Sequence, residues 1–181
     1  EEQNESCPEA WYAKAVSLQR IGKWADALDS INKSIEANSR DFDYWLKKGE
    51  ILTKMEIFKE AVNAYDEAIK IDSNHAYALH QKGLALYEIG KYSDSIISYD
   101  RALSALDLNE SNNLLSAIEL WNDKGKAYSA QGDETSAKEA IAEANELEDR
   151  LNKERSLISM TIVTNETMNL PNLRGVGPEQ F

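Results

Sequence analysis

The chain has 181 residues and a net charge of −12, from 20 basic and 32 acidic residues, with 42% of residues apolar and 29% charged. This composition suits one compact domain or a short repeat array with a packed core, and it excludes disorder throughout. The anionic surplus weighs against nucleic acid or an anionic membrane as the main partner, no window approaches 18 consecutive apolar residues, and the lone Cys7 excludes an internal disulfide or a cysteine-based zinc site.

In chain order, residues 1–7 read as a lead-in, and Pro8 stands where a first helical residue belongs, since its missing N–H costs nothing there. Residues 8–41 then read as two helices joined at Gly22, residues 42–75 as two joined at Glu56, and residues 76–109 as two joined at Gly90. Glycine suits the left-handed residue that ends a helix, so the Glu56 turn is the least certain of the series. Trp11, Trp45 and Leu79 recur at intervals of 34; Trp121 follows Leu79 by 42, which is 34 plus an insertion of eight. Other columns keep this register: Ala15, Gly49, Gly83 and Gly125, then Leu18, Leu52, Leu86 and Tyr128, then Ala27, Ala61, Ser95 and Ala137, then Ile31, Tyr65, Tyr99 and Ile141, then Ser34, Ala68, Ala102 and Ala144. Spacings of three, four and seven between apolar positions mark amphipathic helices. Gly49, Gly83 and Gly125 on the first helices and Ala27, Ala61 and Ala137 on the second are the holes, and Trp, Leu and Tyr are the knobs.

Residues 110–117 form the insertion. Leu114, Leu115 and Ile118 continue an apolar face backward from the fourth unit, residues 118–151, so the insertion reads as about two extra helical turns; a surface loop is the alternative. From residue 134 to about residue 158 one long helix is expected, with Ile141, Ala144, Leu147, Leu151 and Ile158 facing inward and residues 152–158 as its end, capping the array. Residues 159–181 lose periodicity and gain Pro171, Gly175, Gly177 and Pro178, so they read as a flexible tail or linker; a short strand over 159–163 would have nothing to pair with.

These columns resemble the tetratricopeptide repeat (TPR) family, whose pattern is W-x2-L-G-x2-Y, then A-x3-F, then P. It stands here as Trp45-x2-Lys48-Gly49-x2-Leu52 with Ala61-x3-Tyr65, and as Trp121-x2-Lys124-Gly125-x2-Tyr128 with Ala137-x3-Ile141. Two departures stand out. The family's Leu is Lys in all four units (Lys14, Lys48, Lys82, Lys124), and its closing Pro is replaced by Ser39, Ser73 and Asp107, which are expected to cap the helices that follow. The resemblance implies an all-α fold, a right-handed superhelical α-solenoid of four TPR helix pairs with a C-terminal capping helix. Trp11, Trp45 and Trp121 are then expected inside the repeat cores.

No catalytic set, metal site or cofactor is expected. His75 and His80 lie five apart across a turn, no HExxH, GxSxG or glycine-rich phosphate loop occurs, and Cys7 has no histidine near it in sequence. The resemblance instead implies a peptide-binding groove lined by the first helix of each unit. Its exposed positions carry over to Glu9, Tyr12, Val16, Asp43, Lys47, Glu50, Lys54, Tyr77, His80, Gln81, Tyr87, Glu88, Asn122, Asp123 and Lys126. Glu50 and Tyr77 are expected to be exposed in the free protein. The family's clamp for a C-terminal carboxylate falls on Tyr12, Val16, Lys47, Tyr77 and Gln81, of which only Lys47 is cationic, so no such clamp is expected. The expected function is a non-catalytic scaffold for a protein or peptide segment with apolar anchors and net positive charge, with neither nucleic acid nor membrane insertion involved. The alternative is a structural module that self-associates or acts as a spacer.

Overall fold

The structure, a computed structural model, describes residues 7–168. Among these residues the chain forms eight helices and no strand: α1 (Pro8–Arg20), α2 (Trp24–Ala37), α3 (Phe42–Lys54), α4 (Phe58–Ile71), α5 (Ala76–Glu88), α6 (Tyr92–Ser104), α7 (Ser111–Gln131) and α8 (Glu134–Met168). Each odd helix packs most closely on the even helix after it, and each pair then packs on the next. The result is an all-α repeat solenoid with a core that runs along the array.

All four intra-pair turns are built alike. At each, the left-handed residue donates its N–H to the carbonyl three residues back, and the next N–H reaches five back: Gly22 to Gln19 and Lys23 to Leu18, Glu56 to Thr53 and Ile57 to Leu52, Gly90 to Tyr87 and Lys91 to Leu86, Gly132 to Ser129 and Asp133 to Tyr128. These are Schellman motifs, which satisfy carbonyls a helix end would leave open. Glu56 adopts φ 60° beside glycines at 74°, 75° and 85°, so the Glu56 turn has the same form as the others. Tertiary packing overrides the cost of a Cβ in that conformation.

The caps at the other ends differ from expectation. Asp41 caps α3, accepting from the N–H groups of Asp43 (2.9 Å) and Tyr44 (3.4 Å), and His75 Nδ1 caps α5, accepting from Ala78 N–H at 3.3 Å. Ser39 and Ser73 lie too early to cap. Their carbonyls instead accept from Trp45 Nε1 (2.9 Å) and Arg101 Nη2 (3.1 Å).

The centre of each repeat is set by one exchange of small for large. A Cβ on Gly49 would stand 2.6 Å from Tyr65 Cδ1, and one on Gly83 would stand 2.6 Å from Tyr99 Cδ1, so the fully buried tyrosine rings occupy the space that glycine leaves. In the first unit Ala15 faces the smaller Ile31, both fully buried. Thr53 Oγ1 donates to the Gly49 carbonyl at 2.9 Å, leaving the Tyr65 hydroxyl to donate to Thr53 Oγ1 at 3.1 Å. Tyr87 stands in the third unit where Thr53 stands in the second, and among the described residues the buried Tyr99 hydroxyl has no hydrogen-bond partner.

The tryptophans lie at the edge of the repeat centres, whether or not a tyrosine ring fills them. Trp11, Trp45 and Trp121 are half-buried rather than enclosed, whereas Leu79 in the same column is buried. The polar indole N–H favours this placement, since at the edge it can reach a carbonyl; Trp45 does so at Ser39. The lysine column lies alongside. Lys124 Nζ is 4.4 Å from the Trp121 ring centroid and Lys48 Nζ is 5.4 Å from that of Trp45. Lys82 and Lys124 reach Asp66 and Asp100 of the preceding unit, each at 2.6 Å. Lysine in place of the family's leucine thus ties adjacent units together while its stem covers apolar surface.

The residues by which one unit docks on the next change on α8. Leu28, Val62 and Ile96 give way to Lys138; Asn32, Asp66 and Asp100 to Ala142; Ile35, Ile69 and Leu103 to Asn145. Lys138, Ala142 and Asn145 are all exposed, so the outer face of the fourth unit is solvated. α7 has 21 residues against 13 in α1, α3 and α5, so the insertion is helical rather than a loop. α8 is 35 residues long, and Ser111 Oγ donates to Glu154 near the start of α7 at 2.9 Å. The long helix continues through 159–168, so the tail expected from residue 159 does not begin there; residues 1–6 and 169–181 lie outside the described residues. Ala144 and Leu151 are buried as expected and Leu147 is half-buried, but Ile141 (44% exposed) and Ile158 (59%) face outward.

Two stability outcomes follow, both measurable by urea denaturation. Tyr65→Phe removes a made hydrogen bond and is expected to cost about 1 kcal/mol, whereas Tyr99→Phe removes an unsatisfied buried hydroxyl and is expected to be neutral or stabilising. Gly90→Ala forces a Cβ into the left-handed region and is expected to cost about 1 kcal/mol, with Glu56→Gly recovering part of such a penalty.

Candidate functional site

The first helices α1, α3, α5 and α7 lie side by side, with α1 against α3, α3 against α5 and α5 against α7. Their common face carries a ladder of polar contacts that crosses each boundary. Tyr12 packs on Tyr44 at 5.3 Å between ring centroids, joining α1 to α3. Lys47 Nζ donates to Glu50 Oε2 at 2.5 Å, and Tyr77 Oη donates to Glu50 Oε1 at 3.2 Å, joining α3 to α5. His80 Nε2 lies 2.9 Å from Asp123 Oδ2, and Lys126 Nζ donates to Asp123 Oδ1 at 2.8 Å, joining α5 to α7.

The electrostatics follow from this ladder. Burial, reinforced by the Glu50 carboxylate, pushes the Tyr77 hydroxyl up to about 12. Burial also raises Tyr12, opposed by Lys47. Burial alone would raise Asp123, but hydrogen bonds from His80 and Lys126 outweigh it and hold the carboxyl below its ordinary value; the bond to Asp123 in turn raises Lys126.

Of the expected groove residues, the structure joins Tyr12, Lys47, Glu50, Tyr77, His80, Asp123 and Lys126 in this ladder. Tyr87 is half-buried beside Tyr92, at 5.4 Å between centroids, and Val16 and Gln81 are half-buried. Glu9, Asp43, Lys54, Glu88 and Asn122 are exposed, and Glu9 accepts from Cys7 Sγ at 2.8 Å. Tyr77 is 47% exposed, as expected, but the Glu50 side chain is only 18% exposed, because it is held from both sides. Glu50 is therefore structural as well as groove-facing. Near its C-terminal end the same face opens into a cleft of about 720 Å³ bordered by Gly125, Ser129, Ala130 and Ile141, with a hollow of about 250 Å³ beside it lined by Leu84, Glu88 and Tyr99. The expected groove set lacks Gly125, Ser129, Ala130, Ile141 and Tyr99. Their signal was present in the column where Tyr65 and Tyr99 give way to Ile141.

The TPR repeat family model matches residues 49–90, and the tetratricopeptide repeat model matches residues 118–150. Both matched stretches are tetratricopeptide repeats. No curated protein sequence matches the chain. Among solved structures, MamA is 20% identical, with a TM-score of 0.74 over 84% of this chain and 83% of that one. YrrB, described as a TPR protein with an unusual peptide-binding site, is 18% identical, with a TM-score of 0.68 over 83% and 75%. The first TPR domain of Spaghetti (RPAP3), bound to the HSP90 peptide SRMEEVD, is 17% identical, with a TM-score of 0.62 over 71% and 95%. At these identities the likeness is one of fold. Among the described residues no TPR helix is long and apolar enough to cross a membrane.

Asp123 yields a pH test. A carboxylate with a lowered folded value contributes stability that is fully present above its unfolded value and is lost as pH falls through the folded one. Denaturation midpoints taken from about pH 5 down to about pH 2 are thus expected to fall more steeply for the wild type than for Asp123→Asn.

Proposed function

We propose that this TPR array is a non-catalytic interaction scaffold whose concave face, formed by α1, α3, α5 and α7, binds a peptide or protein segment carrying apolar anchors and net positive charge. The observation that carries this reading is the asymmetry of the face. Two of its lysines are neutralised by adjacent carboxylates, Lys47 by Glu50 and Lys126 by Asp123. Asp43, Glu88 and Glu119 remain exposed, with no cation within ion-pair distance among the described residues. Tyr12, Tyr77 and Tyr87 supply flat apolar surface that can also receive a cation. The same arrangement argues against an acidic peptide such as the SRMEEVD segment bound to the Spaghetti domain. Of the five clamp positions only Lys47 is cationic, and Glu50 holds it.

The alternative, an assembly module that stacks end to end, finds little support at the C-terminal end. Lys138, Ala142 and Asn145 offer no apolar stripe to another repeat.

The test uses charge reversal at exposed positions rather than at Glu50, whose loss would also disturb the fold. A basic, tyrosine-containing peptide titrated into the double variant Asp43→Lys, Glu88→Lys is expected to bind at least about tenfold more weakly than to wild type, with an unchanged melting temperature. Equal affinity, or preference for an acidic peptide, would place the binding surface elsewhere.

A further inference from the structure

The first helix carries on its outer side the docking residues of an interior helix. On α5 the face turned toward α4 consists of Ala78, Lys82, Ala85 and Ile89. Two repeat periods back, the same positions on α1 hold Ala10, Lys14, Ser17 and Ile21, so three residue types are identical and the fourth differs by one hydroxyl. On α5 this face is covered. Ala78 and Ala85 are fully buried in one cluster with Ala64 and Ile69 of α4, and Lys82 Nζ lies 2.6 Å from Asp66 Oδ1. α7 repeats the arrangement toward α6, with Leu120 and Ala127 buried and Lys124 Nζ 2.6 Å from Asp100 Oδ1. On α1 the face is open: Ala10, Lys14 and Ser17 are exposed, and Ile21 is 68% exposed. The Lys14 ammonium, 4.9 Å from the Trp11 ring centroid, has no carboxylate within ion-pair distance among the described residues.

Two related hollows mark the difference. In the third unit a hollow of about 310 Å³ is walled by Lys82, Leu86, Asp94 and Ser98 and completed by Val62 and Asp66 from α4. The first unit has the corresponding hollow, of about 240 Å³, walled by Lys14, Leu18, Asp26 and Ser30, with no counterpart of Val62 or Asp66 among the described residues. The helices that fill this place elsewhere define the occupant. α4 presents Val62, Asp66 and Ile69, and α6 presents Ile96, Asp100 and Leu103, each an aliphatic residue, an aspartate one turn on and a second aliphatic residue one turn further. A second copy of this chain does not supply that set. Its solvated face on α8 carries Lys138, Ala142 and Asn145 and would bring Lys138 toward Lys14.

We propose that the outer face of α1 is a second docking surface, which takes a partner's amphipathic helix of the pattern aliphatic-x3-Asp-x2-aliphatic. The partner's aspartate pairs with Lys14 as Asp66 pairs with Lys82, and its aliphatic residues cover Ala10, Ser17 and Ile21. Apolar burial supplies the attraction, and the charge pair fixes the register. The surface lies at one end of the array, apart from the concave groove, so the inference stands independently of the groove reading.

The test is a ¹H–¹⁵N NMR titration of the full chain with a peptide of the α4 sequence, Phe58–Ile71, and with the same peptide carrying Asp66→Lys. The first peptide is expected to shift the Ala10, Lys14, Ser17 and Ile21 amides saturably, and the second to bind about tenfold more weakly. In the Lys14→Asp chain the preference is expected to reverse, with the Asp66→Lys peptide binding about tenfold more tightly than the original. Ile21→Asp is expected to weaken the original peptide about tenfold. Both side chains are exposed in the free chain, so both variants are expected to keep the wild-type melting temperature; should Ile21→Asp misfold, the charge swap at Lys14 decides. An unchanged preference in Lys14→Asp, or no saturable shift on α1, overturns the inference. Shifts confined to the concave face would overturn it and leave the groove reading standing, and shifts on α5 in place of α1 would overturn it as well. Self-association of the free chain that Ile21→Asp abolishes would make a second copy the occupant. A tenfold gain in peptide affinity in the triple variant Glu1→Gln, Glu2→Gln, Glu5→Gln would make the chain's own first residues the occupant. Either result also overturns the inference.

Discussion

Everything in this molecule depends on how closely two antiparallel helices can approach. Gly49 and Gly83 give up their side chains so that Tyr65 and Tyr99 can lie across the first helix and fill the pair's centre. At the edge of the core the Trp45 N–H meets the Ser39 carbonyl, and Lys82 and Lys124 run toward the previous unit. One steric exchange therefore sets the centre of the second and third repeats. Single helix pairs cannot bury both faces, so the same exchange must be repeated and the units stacked.

The concave face inherits its character from that packing. The tyrosines enter from the even helices, and their hydroxyls end beneath the surface formed by the odd ones. The Tyr65 hydroxyl is satisfied by Thr53, whereas that of Tyr99 has no partner among the described residues, and the position that differs is Thr53 against Tyr87. Above this layer the charged residues pair across helix boundaries, so the ladder is both a structural seam and the lining of the groove. On this face Lys47 and Lys126 are paired with carboxylates, while Asp43, Lys54 and Glu88 are exposed.

Termination uses the same positions with different side chains. Apolar and acidic residues that join one repeat to the next become Lys138, Ala142 and Asn145 on α8, and a solvated helix replaces a docking surface. The tyrosine that closes the centre becomes Ile141, which leaves the groove open at that end. The fourth unit is thus closed on its outer side and open on its concave side.

Much of this was legible in the sequence because a repeat prints its geometry as a period. Columns in phase across four units determined the helix pairs, their turns and the small-for-large exchange, since hard-sphere packing admits few residue types at those points. The even helix of the fourth unit was legible as a long terminal cap, but not its full length to Met168, since Ile158 faces solvent and apolar spacing ceases to mark the helix there. The tertiary structure alone decided which groove residues pair across helices. Glu50 reads in sequence as a free carboxylate; only α3 lying against α5 brings it to Tyr77, 27 residues away. His80 and Asp123, 43 residues apart, meet for the same reason. Periodicity specifies the face on which a side chain lies, but hydrogen bonds and ion pairs form over about 3 Å, and only the stacking of one unit on the next sets distances at that scale.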